Sequence, residues 1–416
     1  MKEQTTWRRQ GIRTLAPLFG LLAVLSATVA TAQIHFAAAE TYEYFGYEPY
    51  PMAQGDLNSD GRPDIVVGDT LDLAVRVYLT NAGRRFQAGA LVSTGVVPHW
   101  IVVADLTDDG KMDLLVGSGA RAKLFLLDGD GAGGFGVPRE LNLGMTAWAG
   151  LAADFDGDGK TDVALSDRGT NMVHLLQRVP GGFVAGPGQV LSGTQSRMVT
   201  GDFNGDGKAD LVVSYESADG LSYLAGQTSN AFGVPRSFAT GETIGDLLAA
   251  DFTGDSLSDI LTSAGKLYAG VAVIGPSSAV PTVSPPYFHL LAATDLNGDH
   301  RADLIVYSGL ESTSVLLGNG SGGFTSFSTV RAEVSVVLTG DFNGDGTTDA
   351  AAIPNGGYGL AILPGDGEGR LKLAPAYPAG SVPAAVDTGD FDNDRRIDLA
   401  VVDSIGNSIS ILLGER

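Results

Sequence analysis

The sequence predicts an all-β protein built from eight tandem repeats, and three observations carry this prediction. An aspartate-rich segment, typified by residues 201–210, recurs with its first aspartate at positions 56, 105, 154, 202, 251, 295, 341 and 390. A short run rich in Val, Ile and Leu follows each segment, as at residues 65–67 and 211–213. Such runs, bounded by Gly, Asn, Asp and Ser, are typical of strands. The chain has 58 glycines, and no stretch beyond residue 32 shows a sustained helical period.

Each repeat divides into four predicted strands, A to D. Strand A ends just before the aspartate-rich loop, as at residues 100–104, and strand B follows the loop at once. Strand C lies near residues 124–127 in the second repeat, and strand D follows a glycine-rich turn such as residues 133–138. The repeats are spaced 44 to 49 residues apart, which suits two-helix solenoid units or four-stranded propeller blades. Because the predicted elements are strands, we expect a β-propeller.

The number of repeats predicts eight blades, and the two chain ends predict how the ring closes. The chain stops after strand C of the eighth repeat, residues 408–413, so that repeat lacks a strand D. Phe36 precedes Asp56 by 20 residues, much as Phe183 precedes Asp202 by 19. The segments 34–36 and 41–45 therefore occupy the place of a strand D. We expect this N-terminal strand to complete the last blade, because closure removes the exposed edges of an open array.

The aspartate-rich segments have the pattern of calcium-binding loops. Side-chain oxygens occupy loop positions 1, 3, 5 and 9, and glycine is preferred at position 6, where the backbone turns. Hard divalent cations take several oxygen ligands, which alternate residues of a tight loop can direct at one centre. An EF-hand does not fit, because position 12 is Val67 in loop one and Val213 in loop four instead of glutamate. The alternative is a set of turns held by their own amides. Several carboxylates within nine residues, however, repel one another unless a cation is present.

We predict up to eight calcium ions, with the strongest binding at loops one, three, four and seven, whose ligand sets are complete. The ligands predicted there are Asp56, Asn58, Asp60, Asp64 and the carbonyl of Arg62; Asp154, Asp156, Asp158 and Asp162; Asp202, Asn204, Asp206 and Asp210; and Asp341, Asn343, Asp345 and Asp349. In loops two, five, six and eight they are Asp105, Thr107, Asp109 and Asp113; Asp251, Asp255 and Asp259; Asp295, Asn297, Asp299 and Asp303; and Asp390, Asp392, Asp394 and Asp398.

The four other loops should bind calcium less strongly. Loop two has the neutral Thr107 at position 3, and loops six and eight have His300 and Arg395 at position 6. A non-glycine residue with positive φ is strained at that position. Loop five should bind most weakly, because it has Thr253 at position 3 and Ser256 at position 6.

Composition and the N-terminal residues exclude some partners and predict export. The formal net charge is −22, so nucleic acid, which needs a basic face, is not an expected partner. Residues 1–32 resemble a signal peptide, with a basic start, an apolar stretch and Ala-Thr-Ala before Gln33; a membrane anchor is the alternative. We expect residues 33–416 to form one propeller domain, monomeric and without a membrane span after cleavage. It would be secreted, periplasmic or at the cell surface. The chain has no cysteine, so no disulfide can stabilise it.

The loop-and-strand pattern resembles that of the FG-GAP and VCBS repeat propellers, the group that includes integrin α-subunit heads. The resemblance covers residues 34–416, essentially the whole predicted mature chain. It implies that the A–B loops lie on one face of the ring. The mouth of the central channel on the other face is then formed where each strand A begins. The best-known members have seven blades, so seven is the alternative count, with the short fifth repeat as the unit in question.

The residues that begin the A strands form the candidate ligand site. They are Tyr50, His99, Trp100, Trp148, Arg197, Asp246 and His289, followed by Ser335 and Ala384 in the last two repeats. Aromatic rings beside Arg, Asp and His suit a carbohydrate or a polar peptide, because a flat apolar face stacks while polar groups orient the ligand. The alternative is that Tyr50, Trp100 and Trp148 fill space between the blades.

We therefore predict an exported, calcium-stabilised, non-catalytic scaffold that binds a glycan or an extracellular protein. The sequence has no cysteine, Gly-x-Ser-x-Gly elbow, His-Glu-x-x-His motif or phosphate-binding loop, so no catalytic residues are predicted. The alternative is a carbohydrate-active enzyme of the polysaccharide lyase type that uses His99, Arg197 and His289 at the channel mouth.

Overall fold

The computed structural model describes residues 35–36, 40–43, 51–81, 85–119, 123–179, 182–216, 220–229, 231–241, 244–270, 280–281, 289–307, 312–355, 359–374, 376–406 and 408–415. Its elements are β-strands. Internal contacts divide the chain into residues 1–31 and 32–416, and the first unit, which holds nearly all of the predicted signal peptide, lies outside the described residues. No helix among the described residues has the length and apolar character needed to cross a membrane.

The strands form eight antiparallel blades in which strand A pairs with B, B with C and C with D. In blade order, the A strands are Met52–Gly55, Trp100–Ala104, Ala147–Ala153, Gln195–Gly201, Leu247–Ala250, His289–Thr294, Val334–Gly340 and Pro383–Gly389. The B strands are Asp64–Asp69, Asp113–Ser118, Asp162–Asp167, Asp210–Tyr215, Asp259–Thr262, Asp303–Tyr307, Asp349–Pro354 and Asp398–Asp403. Every strand B begins at the aspartate of loop position 9, so each loop leads directly into its blade.

The outer half of each blade is more variable. The C strands are Ala74–Asn81, Lys123–Leu127, Met172–Val179, Leu221–Leu224, Lys266–Tyr268, Thr313–Gly318, Ala361–Leu363 and Ser408–Leu412. The D strands of blades 1 to 6 are Arg85–Ser93, Arg139–Glu140, Gly182–Ala185, Arg236–Phe238, Val280–Pro281 and Phe324–Val330. In blade 3 the short strand Gln189–Val190 also pairs with strand C, and in blade 7 an isolated bridge between Leu360 and Tyr377 takes the place of strand D.

The N-terminal segment completes blade 8, as the sequence predicts. The strand Glu40–Glu43 pairs antiparallel with strand C of that blade. Just before it, His35–Phe36 pairs with Gly414–Glu415 at the C-terminal end. The A strands of neighbouring blades contact one another around the whole ring, including blade 8 to blade 1. The prediction of eight blades is confirmed. The alternative of seven is wrong, because the fifth repeat forms a blade of its own.

The hydrophobic core is divided among the eight blade interfaces. Each of eight buried clusters takes side chains from two neighbouring blades, such as Leu115 of blade 2 with Val163 of blade 3. In blade 4, Leu211 and Val213 of strand B lie in the cluster shared with blade 3, whereas Val212 lies in the cluster shared with blade 5. Because successive side chains of a strand point to opposite faces, strand B must be apolar throughout.

Five A strands contain a β-bulge near their first residues, at the end of the strand away from the A–B loop. The pairing of strand A with strand B shifts there in blades 3, 4, 6, 7 and 8. The residues left out of the pairing are Trp148, Ser196 with Arg197, Leu291, Ser335 and Ala384. Bulges change the direction of side chains. Four residues that the sequence places at the channel mouth therefore lie in bulges.

Candidate functional site

All eight aspartate-rich loops adopt one backbone shape. Position 6 has a positive φ in every loop, at Gly61, Gly110, Gly159, Gly207, Ser256, His300, Gly346 and Arg395. Position 4 has a positive φ as well, at Ser59, Asp108, Gly157, Gly205, Gly254, Gly298, Gly344 and Asn393. The turn expected at position 6 is therefore present even where the residue is not glycine. The turn at position 4 was not predicted, although the Gly, Ser, Asp and Asn residues found there favour such a turn.

Carboxylates at positions 1 and 5 hold this shape by accepting backbone hydrogen bonds. In every loop Oδ2 of position 1 accepts from the amide of position 6, as between Gly207 N and Asp202 Oδ2 at 2.9 Å. In every loop Oδ1 of position 5 accepts from the amide of position 7, as between Lys208 N and Asp206 Oδ1 at 3.0 Å. The loops are thus shaped by their own amides, and the same oxygens keep further lone pairs for a cation.

The aspartate at position 9 is buried and joins the loop to strand C. Its Oδ2 accepts from the amide of position 2 in all eight loops, as between Phe203 N and Asp210 Oδ2 at 3.1 Å. In seven loops its Oδ1 accepts from an amide near the end of strand C, as between Gly226 N and Asp210 Oδ1 at 2.8 Å. Position 9 therefore has a structural role that sequence analysis did not predict.

Burial and mutual repulsion disfavour ionisation of these buried aspartates. Burial, with the charges of neighbouring loop aspartates, raises the pKa of Asp162 and of Asp398 to about 7. The same causes raise the pKa of Asp210 and of Asp349 to about 6. A cation among these carboxylates would favour their charged forms.

Carboxylate oxygens converge in loops three and eight. They belong to Asp154, Asp156 and Asp158 in loop three, and to Asp390, Asp392 and Asp398 in loop eight. Within each set the oxygens lie within 4.8 Å of one another. Hard oxygen donors that converge in this way fit Ca²⁺, so these residues would hold the ion. Arg395, expected to weaken loop eight, still donates its amide to Asp390 Oδ2 at 2.8 Å, as glycine does elsewhere.

A basic side chain at position 7 pairs with the position 5 carboxylate in five loops. The pairs are Arg62–Asp60, Lys111–Asp109, Lys208–Asp206, Arg301–Asp299 and Arg396–Asp394, with N–O distances of 3.0 to 3.7 Å. In loop three Lys160 instead pairs with Asp108 of loop two. Loops five and seven have Leu257 and Thr347 at position 7. A cation in loops three, five and seven would therefore not compete with a basic position 7 side chain for the position 5 carboxylate.

At the opposite face, aromatic and charged side chains link blades 2, 3 and 4. Trp148 is 38% exposed, and the Arg168 guanidinium lies 4.0 Å from the centroid of its ring. Arg168 Nη2 donates to Glu216 Oε1 at 2.5 Å. The exposed His99 ring lies 6.5 Å from the Trp148 ring, centroid to centroid. The predicted residues His99 and Trp148 are therefore close together and accessible.

A second group links blades 4, 5 and 6. Arg197 Nη2 donates to Asp246 Oδ1 at 3.4 Å, and Asp246 Oδ2 lies 3.0 Å from His289 Nδ1. The His289 ring stacks on Tyr307 at a centroid distance of 6.2 Å. The side chains of Arg197 and His289 are 61% and 72% exposed, whereas that of Asp246 is 19% exposed. The less exposed carboxylate thus orients two exposed polar groups.

Trp100 does not lie on this surface. It is buried in the cluster between blades 2 and 3, and its Nε1 donates to Ala147 O at 3.3 Å. A Cβ added to Gly117 or Gly150 would lie only 2.0 Å or 2.6 Å from the indole. The space-filling explanation therefore holds for Trp100, and we leave it out of the ligand surface.

The other predicted mouth residues contribute little. Tyr50 lies outside the described residues. Ser335 is exposed and donates its hydroxyl to Ile353 O at 3.4 Å, and Ala384 is half-buried. Three residues of this surface were not predicted; they end or follow strand B and are Arg168, Glu216 and Tyr307. Antiparallel pairing brings that end beside the start of strand A, so their place in the repeat was the available signal.

Comparison with known proteins identifies the repeat. The FG-GAP-like repeat matches residues 56–116, 105–165, 168–262, 295–352 and 341–401, and no curated protein matches the chain. One similar solved structure is an Agrocybe aegerita lectin that recognises non-reducing terminal N-acetylglucosamine (20% identity, 79% of this chain and 94% of that chain, TM-score 0.52). Others are the V. cholerae biofilm matrix protein Bap1 (13%, 92% and 91%, 0.44) and a streptogramin B lyase (10%, 92% and 99%, 0.49). At these identities the similarity concerns the fold alone. Since the repeat matches together cover most of the chain, and four of the five run from a loop aspartate of one blade to strand B of the next, the protein belongs to the FG-GAP-like repeat family of β-propellers.

Proposed function

We propose that the protein is an exported, calcium-stabilised β-propeller that binds a carbohydrate and does not catalyse a reaction. Its ligand site in this proposal is the mouth surface, which comprises His99, Trp148, Arg168, Arg197, Asp246 and His289. The observation that carries the proposal is that Trp148 and Arg197 leave the strand pairing in bulges and remain exposed. Bulges are enriched beside functional sites, where they redirect side chains.

The chemistry of the mouth surface suits a sugar. An indole presents a flat apolar face on which the C–H groups of a pyranose can stack, and Arg168 holds the ring in one orientation. Arg197, Asp246 and His289 supply donors and an acceptor that can orient hydroxyl groups. The lectin with a similar fold recognises a terminal sugar. An extracellular protein is the other ligand we consider for this surface.

A glycan array with a matched pair of variants tests the proposal. The wild-type protein should bind a subset of glycans, and Trp148→Ala should abolish that binding while the fold is retained. Phe327→Ala is the control. Like Trp148, Phe327 is partly exposed (39%) and has an arginine, Arg370, 4.8 Å from the centroid of its ring. It lies in strand D of blade 6, however, and not at the mouth surface. An array without signal, or equal binding by wild type and Trp148→Ala, would reject a carbohydrate at the mouth surface.

Calcium has a structural role in this proposal. The ions would occupy the eight loops through positions 1, 3 and 5, the carbonyl of position 7 and the outer lone pairs of position 9. We place the strongest sites in the four complete loops, and among these in loops three and seven, where the position 7 side chain leaves the position 5 carboxylate free of an ion pair. Affinities in the extracellular range, about 10⁻⁴ to 10⁻³ M, would suffice.

Export rests on the first 32 residues and has its own test. The protein recovered from the culture medium, the periplasm or the cell surface should begin at Gln33 when its N-terminus is sequenced. A full-length chain in the membrane fraction would favour the anchor instead.

A lyase-type enzyme is the second candidate, and one contact favours it. The 3.0 Å contact between His289 Nδ1 and Asp246 Oδ2 could orient an imidazole for proton transfer. Assays for unsaturated products and new reducing ends over a polysaccharide panel test this activity. Turnover that is lost in His289→Ala would replace the binding proposal.

A further inference from the structure

A cavity on the calcium-loop face of blade 4 shares Asn204 and Asp206 with the proposed calcium site of loop four, but its other lining residues have no role in the function proposed above. It has a volume of about 410 Å³ and lies between the A–B loop and the connection from strand C to strand D. Its polar lining is Asn204, Asp206, Tyr223, Gln227 and Arg236, and Val234 forms an apolar edge. Cavities of this size accommodate a small organic ligand.

Arg236 supplies the uncompensated charge of this cavity. Its side chain is exposed, and none of the carboxylates in the described part of the chain forms an ion pair with it. Asp206, the acidic residue of the lining, is already paired with Lys208 Nζ at 3.0 Å. The cavity therefore holds one guanidinium that no ion pair neutralises, beside the aspartates of loop four, on a chain whose net charge is −22.

Blade 2 shows what this arginine does when a partner is present. The sequence Gly-Val-Pro-Arg occurs at residues 136–139 in blade 2 and at residues 233–236 in blade 4. In blade 2 Arg139 pairs with Asp128 at 2.9 Å. The sequence interval that separates Asp128 from Arg139 leads from Arg236 back to Ala225, which lines the cavity. Blade 4 thus has the arginine but not the carboxylate that neutralises it in blade 2.

We infer that this cavity, which we call the blade 4 pocket, binds a hydroxylated carboxylate of monosaccharide size, such as a hexuronic acid. A guanidinium is the side chain best suited to bind a carboxylate, because it donates two parallel hydrogen bonds. Gln227 can bind a hydroxyl group, and Val234, 85% exposed, can contact the C–H face of the ring. The ligand carboxylate would take the place that Asp128 has in blade 2.

The test is a titration with D-glucuronate followed by NMR in calcium-containing buffer, with D-glucose as the uncharged probe. Wild type should bind glucuronate at least about tenfold more tightly than glucose, because the charged hydrogen bonds belong to the carboxylate alone. Arg236→Gln should weaken glucuronate binding about tenfold or more. Ala225→Asp introduces a carboxylate at the position that Asp128 has in blade 2. It should weaken glucuronate binding to a similar extent, because the new carboxylate pairs with Arg236.

Arg139→Gln is the matched control and should bind glucuronate like wild type. Trp148→Ala should also bind glucuronate normally, since Trp148 lies on the opposite face, so the two proposals can fail independently. Undetectable binding to wild type, equal affinity for glucose, or full binding by Arg236→Gln would each overturn the assignment.

Discussion

The shape of the loop gives the residue at position 6 a positive φ, whichever residue type stands there. Gly207 has a φ of 81°, and no atom lies within 4 Å of a Cβ added there, so a methyl group would have room but strain the backbone. We predict that Gly207→Ala lowers the free energy of unfolding by about 1–2 kcal/mol, measured by chemical denaturation. Gly136 is the control, because its φ is not positive and an added Cβ would meet only Asp128 O, at 3.6 Å. Equal losses in Gly207→Ala and Gly136→Ala would contradict the prediction.

Asp403 shows a different use of a single carboxylate, at the turn after strand B of blade 8. Burial would raise its pKa, but the amides of Gly406, Ser381, Val382 and Ile405 hold the pKa below its ordinary value. Ser381 N and Val382 N donate to its two oxygens at 2.6 and 2.9 Å. These bonds favour the charged form, so the carboxylate stabilises the folded state.

We predict that Asp403→Asn lowers the free energy of unfolding by about 1–2 kcal/mol at neutral pH. The pKa of an unfolded aspartate is about 3.9 and that of folded Asp403 is lower, so its contribution is complete above about pH 4. It is lost as the pH falls through the folded pKa. Urea denaturation of both proteins should show the difference shrinking below about pH 4. A difference that stays constant with pH would show that the charge is not involved.

Single residues could be predicted where their role depends on near neighbours in sequence. The oxygens at loop positions 1, 3 and 5 and the turn at position 6 follow from spacing alone, and the loop shape agrees with them. The contact of Arg168 with Trp148 and the burial of Trp100 against Gly150 depend on how separate strands and blades pack. No local pattern encodes these contacts, so the mouth surface was predicted only in part.

The element that ties each blade together is strand B with its position 9 aspartate. In blade 4, Asp210 accepts hydrogen bonds from Phe203 N, Gly226 N and the Tyr223 hydroxyl, and its exposure is 0%. We predict that Asp210→Ala lowers the free energy of unfolding by about 3 kcal/mol, because buried donors lose their acceptor. This loss should persist in chelator, since the bonds need no metal.

Asp206→Ala is the comparison for Asp210→Ala in the same loop. Asp206 at position 5 is exposed, and the bond it accepts from Lys208 N is open to solvent, so its substitution should lower stability much more in calcium than in chelator. Thermal melts of both variants in calcium and in chelator measure the two effects. If chelator removed the effect of Asp210→Ala, its position 9 carboxylate would act through the metal instead.

The strands and the closure of the ring could be predicted from the period of the repeat, whereas the bulges could not. The A strand at Trp100–Ala104 and the place of the N-terminal strand were predicted because they need only a count along the chain. A bulge is a mismatch between two strands, and the residue types around Trp148 do not reveal it. Two of the exposed ligand residues predicted from the sequence, Trp148 and Arg197, nevertheless lie in bulges.

The whole ring depends on contacts between neighbouring blades. The two chain ends meet where Phe36 packs on Phe342 and Tyr377, at ring centroid distances of 6.3 and 5.2 Å. Between blades 1 and 8, Gln54 Nε2 donates to Thr388 O at 2.7 Å. Loops also bond directly to the loop of the next blade, as between Ser258 N and Asp202 O at 2.9 Å. Neighbouring loops are therefore joined by backbone hydrogen bonds, here between loops four and five.

Calcium should consequently stabilise the ring as a whole. Because an ion that binds only the folded state contributes by mass action, each loop adds about 1.4 kcal/mol when free calcium is ten times its Kd. We predict that excess chelator lowers the melting temperature of the wild type, measured by calorimetry. The four complete loops should account for most of the change.

The loops should differ in a way that the position 7 side chains explain. In loop three Lys160 is directed away from Asp158, whereas in loop one Arg62 pairs with Asp60 at 3.2 Å. A cation in loop one would compete with Arg62 for this carboxylate, so loop three should gain more from calcium. Asp158→Asn should therefore remove a larger share of the calcium-dependent rise in melting temperature than Asp60→Asn. If both variants removed an equal share of this rise, the position 7 side chain would not compete with the ion. If chelator left the melting temperature of the wild type unchanged, calcium would not be what stabilises the ring.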